Sequence, residues 1–185
     1  MKWDALAVDP LVQLFATGFL AIVFARAIFE KAGAYAIYVA TLRDYRLTPA
    51  PFVPFVAAIL LAAEIAAMLL LLWPATRSLG ALLAAGLLGL YALAMSLALA
   101  AGRTQIECGC GGDGQTVSAG LVGRNLVLIA LALVLLAPPA SRATGIVDTL
   151  GAACAILIAW LALAAAEKTI DNAAAARRLR SESFL

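Results

Sequence analysis

Apolar and polar positions divide this chain into five long hydrophobic stretches, roughly 11–29, 52–73, 79–101, 121–137 and 145–166, separated by shorter polar breaks. About 20 apolar residues cross the hydrocarbon layer as a helix, so each stretch predicts a membrane span. The breaks carry helix punctuation. Pro49, Pro51 and Pro54 open the second span and Pro74 closes it, glycines begin at Gly102 after the third, and Pro138-Pro139 ends the fourth. Ser141 or Thr144 is available to cap the fifth. The fourth stretch is short, which leaves open a hairpin over 121–166 that dips into and out of one face. Residues 30–51 are too polar to span, yet Tyr35, Ile37, Tyr38, Val39, Leu42 and Tyr45 interleave with charges. A helix lying at the interface and an ordinary connecting loop both fit that pattern. The expectation is an all-α integral membrane protein, a single domain over 1–185, ending in a basic, helical tail over 167–185.

Composition strengthens this reading. With 65% hydrophobic and 13% charged residues among 185, no water-soluble domain could cover its apolar surface. A net charge of +2, scattered along the chain, speaks against nucleic acid as a partner. The start, Met1-Lys2-Trp3-Asp4 and then Asp9-Pro10, lacks the basic segment and cleavage site of a secretory signal, so the first stretch is expected to remain as a span. Five spans put the termini on opposite faces. Lys31, Arg43, Arg46, Arg103, Lys168, Arg177, Arg178 and Arg180 sort with the C-terminus, as do Arg26 and Arg124 at helix ends; Lys2, Arg77 and Arg142 take the other face. That excess predicts a cytoplasmic C-terminus and a cytoplasmic loop after the third span, in an inner-membrane protein. Small residues at Ala81, Ala85 and Gly89, and at Gly151 and Ala155, predict close helix packing.

Candidate chemistry is confined to a few positions. There is no histidine, which removes the commonest metal ligand and the usual neutral-pH proton shuttle. Glu64 sits near the middle of the second span, where a carboxylate costs about 2.5–3.5 kcal/mol on insertion scales. It should face the bundle interior, with Arg26 or Arg124 as partner, and reads either as a proton or quinone site or as a polar pin that fixes packing. Arg26 and Glu30 are spaced to pair with each other. The least generic segment holds Cys108-Gly109-Cys110, bracketed by Arg103 and Arg124. A disulfide across one glycine would be strained and easily exchanged; nearby guanidinium groups favour thiolate while Glu107 opposes it, so the sequence leaves the net shift unsigned. Redox exchange, a metal site shared with another chain, and a plain turn all remain open from the motif. A metal within this chain is not expected, since Cys154 is the only further thiol and is expected to be a small packing residue.

Taken together, Arg26 to Lys31, Tyr45-Arg46-Leu47, Glu64, Gly102-Arg103, Cys108-Gly109-Cys110-Gly111-Gly112 and Arg124-Asn125 resemble the MauE family of methylamine-utilisation membrane proteins, related to the DoxX-like four-helix proteins. The likeness runs along roughly residues 15–137. It implies a four-helix bundle, here with a fifth transmembrane helix, and a role in maturing methylamine dehydrogenase, a periplasmic enzyme rich in disulfides. It also implies a membrane-anchored thioredoxin-like partner, MauD, and a disulfide-rich client. On this view Cys108 and Cys110 carry the exchange, supported by Arg103, Arg124, Asn125, Glu64, Arg26 and Lys31. A non-catalytic scaffold that anchors such a partner is the competing reading. A periplasmic client would place the cysteine loop outside, whereas the Lys/Arg sorting places it inside.

Overall fold

The computed structural model describes residues 7–103 and 117–182; Cys108 and Cys110 lie outside the described residues. Six α-helices follow in order: α1 (Pro10–Gly33), α2 (Tyr35–Asp44), α3 (Val53–Leu72), α4 (Arg77–Ala100), α5 (Ala119–Val134) and α6 (Ile146–Glu182). Among the described residues there is no strand, only an isolated bridge between Val8 and Pro139. Asp9 starts α1 by accepting the Leu11 N–H at 2.8 Å, with Pro10 in the first turn. Four segments are long and apolar enough to cross a bilayer: Pro10–Gly33, Ala50–Leu72, Pro74–Ala100 and Ile146–Ile170. This is an all-α membrane protein. The segment 30–51 is helical over Tyr35–Asp44, and α2 packs against α3.

The shorter α5 spans about 24 Å at 1.5 Å per residue, and it still traverses the bundle. Its start, Leu121, packs with Tyr45 and Met95 at one end. Just past its last turn, the Ala137 carbonyl accepts a hydrogen bond from Gln13, in the first turns of α1, at 2.7 Å. Ser118 occupies the N-cap of α5 without a capping hydrogen bond from its side chain. Neither Ser141 nor Thr144 caps α6; the Asp148 carboxylate reaches back to the Gly145 N–H at 2.8 Å instead.

One apolar core joins α1, α3, α4 and α5 through Leu20, Phe24, Leu71, Leu88 and Leu128, with Ala67, Ala81 and Ala84 at the closest approaches. Two glycines are required by geometry. A Cβ on Gly80 would lie 2.5 Å from the Leu71 backbone nitrogen, so α3 and α4 meet there backbone to backbone. Gly102, at φ +71°, ends α4; the Arg103 N–H returns to Ala98 O and the Gly102 N–H to Leu99 O, both closing the last turn of α4. Phe29, Phe55, Leu69, Val127 and Ile158 face outward, as side chains covered by lipid do. The sixth helix packs chiefly on α1. Its buried small residue is Ala152, while Gly151 and Cys154 are exposed. The expected Gly151 contact and the expected packing role of Cys154 are both corrected: the face of α6 that meets α1 is turned away from them.

At one end of the bundle, Arg142 binds Asp9 at 3.1 Å and Asp148 at 2.8 Å. The Arg142 hydrogen bond, helped by the Leu11 N–H, holds the Asp9 carboxyl below the usual carboxylate range. A lowered carboxyl contributes stability above its unfolded pKa and loses it as pH falls through the folded value. The clasp is thus intact at neutral pH and opens only in acid.

Candidate functional site: charges paired inside the bundle

Glu64, near the middle of α3, is fully buried, and Lys31, near the end of α1, is nearly so. Their carboxylate and ammonium groups form an ion pair, and the Tyr91 hydroxyl on α4 donates to the same Glu64 oxygen at 2.6 Å. Lys31 Nζ also lies over two aromatic faces, 5.2 Å from the Tyr38 centroid and 4.6 Å from that of Tyr91. An ammonium removed from water is here compensated by a carboxylate and two ring faces together. Arg26 and Arg124 are not the partners of Glu64. Lys31, in the last turn of α1, takes that place.

The two arginines converge on a residue that the apolar pattern assigned to the tail. Glu167 on α6 is buried, accepting from Arg26 at 2.8 Å and from Arg124 at 2.5 Å. Arg26 also pairs with Glu30 at 2.9 Å, as their spacing predicts. Arg124 donates to the Asn125 side-chain oxygen at 3.1 Å. Glu167 stands one residue beyond the fifth apolar stretch and beside Lys168, so it reads as solvated; the signal that could have found it is Arg124 at a span end with no carboxylate within four residues of it. Tyr91 was also missed, although a lone phenol within an apolar span must find a partner for its hydroxyl.

Glu64 Oε2 and Asn125 Nδ2 are among the buried polar atoms that have no hydrogen-bond partner among the described residues. Both residues line a void of about 20 Å³ that also touches Lys31, Tyr91 and Arg124. That is room for about one water, with the polar neighbours a buried water needs. A larger cavity of about 150 Å³ opens between α2, α3 and α4, and Tyr91 lines both spaces. Arg103 donates to the Tyr45 carbonyl at 3.0 Å, and Val117 packs in the same apolar cluster as Tyr45. The residues flanking 104–116 are thus fixed at one corner of the bundle. No group of three or more metal-ligating side chains occurs among the described residues.

A helical membrane bundle whose interior charges pair in two neighbouring sets, with a Cys-Gly-Cys segment in the stretch between α4 and α5, defines the class. The chain belongs to the MauE family: the family profile described as methylamine utilisation protein MauE matches residues 9–138, from the start of α1 past the end of α5. Similar proteins are the methylamine utilization protein MauE of Paracoccus versutus, 39% identical over 76% of this chain and 77% of that protein, and that of Paracoccus denitrificans, 36% identical over 82% and 85%. The protein of the same description from Methylophilus methylotrophus is 34% identical over 70% of this chain and 67% of its own. No solved structure matches the chain.

Proposed function

We propose that this chain is an accessory membrane protein of methylamine utilisation that performs thiol–disulfide exchange through Cys108 and Cys110, with a membrane-anchored, MauD-like thioredoxin partner and a disulfide-rich client. What carries the reading is a Cys-Gly-Cys pair in a segment whose flanks, Arg103 and Val117, are held at one corner of the bundle. Held flanks present the segment to a partner in a repeatable position, and one intervening glycine permits a strained, exchangeable ring. Arg103 is the cation nearest in sequence to favour the thiolate. Arg26, Lys31, Glu64, Arg124 and Asn125 support the exchange by keeping the bundle that carries it intact, and no metal takes part. The bundle acts as a single domain.

The flanks of 104–116 share an end of the bundle with Ile170 of α6, which packs against the Tyr45 cluster. Sorting by Lys and Arg assigns this end to the cytoplasmic side of a bacterial inner membrane. A reporter fused after Leu185 is expected to read cytoplasmic; an extracytoplasmic signal reverses the assignment and carries the cysteine segment with it.

Exchange proceeds through a mixed disulfide that a neighbouring thiol resolves. Cys108→Ser and Cys110→Ser should each stop client maturation, and one of the two should accumulate a reducible adduct with the thioredoxin-like partner. The double variant should form no adduct yet still insert and fold. Full client maturation in both single variants would sink the relay and leave a scaffold that anchors the partner.

A further inference from the structure

We propose that the cavity between α2, α3 and α4 binds the headgroup of a membrane-soluble quinone, with the Tyr91–Glu64–Lys31 triad managing its protons. A volume of about 150 Å³ accommodates one six-membered ring. The walls are chiefly apolar, with aromatic and hydroxyl groups set among aliphatic side chains. Tyr38, Tyr45 and Tyr91 bring aromatic rings to the lining, and Thr41 and Thr48 bring hydroxyls; ring faces stack on a planar headgroup and hydroxyls donate to its carbonyl oxygens. Leu47 and Leu90, which line the same cavity, are 55% and 47% exposed on the apolar outer surface. A ligand whose isoprenoid tail stays in lipid fits that rim.

Tyr91 joins the cavity to the buried charges. It contributes to the lining, and its hydroxyl ends on the same Glu64 oxygen that Lys31 binds, with the Lys31 ammonium donating to that hydroxyl at 3.4 Å. A phenol hydrogen-bonded to a carboxylate–ammonium pair can pass a proton to a reduced ring oxygen and recover one from the pair behind it. The inference rests on the relay reading for its electrons. The cavity wall at Tyr45 is also where Arg103 and Val117 are anchored, so the segment carrying the cysteines leaves and rejoins the bundle beside the ligand. In the balanced step, two thiols lose two electrons and two protons and join as a disulfide, and the quinone gains both to become the hydroquinone. The triad carries protons and is unchanged at the end.

The test is photolabelling of the full-length chain in lipid nanodiscs with an azido-quinone, followed by mapping of the labelled peptides. Saturable labelling within α2 or the facing part of α3 is expected, competed by unlabelled quinone. Ala94→Phe and Val56→Phe each put a ring into the cavity and should lower labelling about tenfold or more, the equivalent of at least 1.4 kcal/mol of binding, without lowering the melting temperature. Tyr91→Phe should keep labelling while slowing hydroquinone formation about a hundredfold. Labelling that does not saturate, labelling unchanged in both filled variants, or a cavity that yields only phospholipid on extraction overturns the site. Labelling needs no thiol, so it should persist in the Cys108→Ser/Cys110→Ser double variant. Loss of labelling in a chain that still forms the mixed disulfide therefore condemns the cavity alone. A labelled chain that forms no mixed disulfide condemns the relay and the electron source named here.

Discussion

A carboxylate and an ammonium buried together cost far more to separate than to remove together. Glu64→Ala would leave the Lys31 ammonium in the interior without a counter-charge, beside ring faces and the Tyr91 hydroxyl, and is expected to lower stability by about 3–5 kcal/mol. The paired replacement Lys31→Met/Glu64→Leu removes both charges at similar volume and should recover most of that loss in thermal unfolding of the detergent-solubilised protein. A double variant as unstable as the single one would show that the pair is not the source of the cost. Glu64 was legible in the sequence because a lone carboxylate in an apolar run has few places to go. Its partner was not legible, because the choice among Arg26, Arg124 and Lys31 depends on helix rotation and on the reach of a four-carbon stem. Neither leaves a trace in spacing.

Helices meet where side chains are smallest, and among the described glycines Gly80 leaves the least room for a Cβ, against the backbone of Leu70 and Leu71. Gly80→Ala pushes a methyl against main-chain atoms that cannot rotate away, and should cost about 1–3 kcal/mol. Gly89 on the same helix is the control. Its nearest neighbour would be the tip of Ile129 at 4.0 Å, so Gly89→Ala should be neutral or stabilising, given alanine's advantage of about 1 kcal/mol within a helix. Equal melting temperatures for the two variants would refute this account of α3–α4 packing. Every apolar stretch in the sequence corresponds to a helix, because length and hydropathy are local properties. Which small residues lie between helices is not local, and so Ala81 was found on the packed face while Gly80 was overlooked and Gly151 misplaced.

Over the whole molecule, the order of helices and the end shared by Ile170 and the flanks of 104–116 follow from α5 and α6 running along the bundle in turn, two apolar stretches that the hydrophobic pattern contains. The cavity and the convergence of α1, α5 and α6 on Glu167 do not follow from it, since they join residues as far apart as Arg26 and Glu167. That convergence bears on how the chain is made. A ribosome delivers α1 and α5 before α6, so Arg26 and Arg124 reach the membrane while their shared counter-charge is still unsynthesised. The last helix adds little buried surface of its own; its helix-long contribution is to bring one carboxylate to two waiting cations. A chain stopped at residue 145 should therefore be cleared by membrane proteases within its first minutes, and Arg26→Gln/Arg124→Gln should prolong the life of that fragment in a pulse-chase measurement. Equal lifetimes would show that the fragment is recognised by something other than its stranded charge. If the fragment is rescued, α6 is the biosynthetic checkpoint of this protein: the element whose arrival distinguishes a finished chain from an abandoned one.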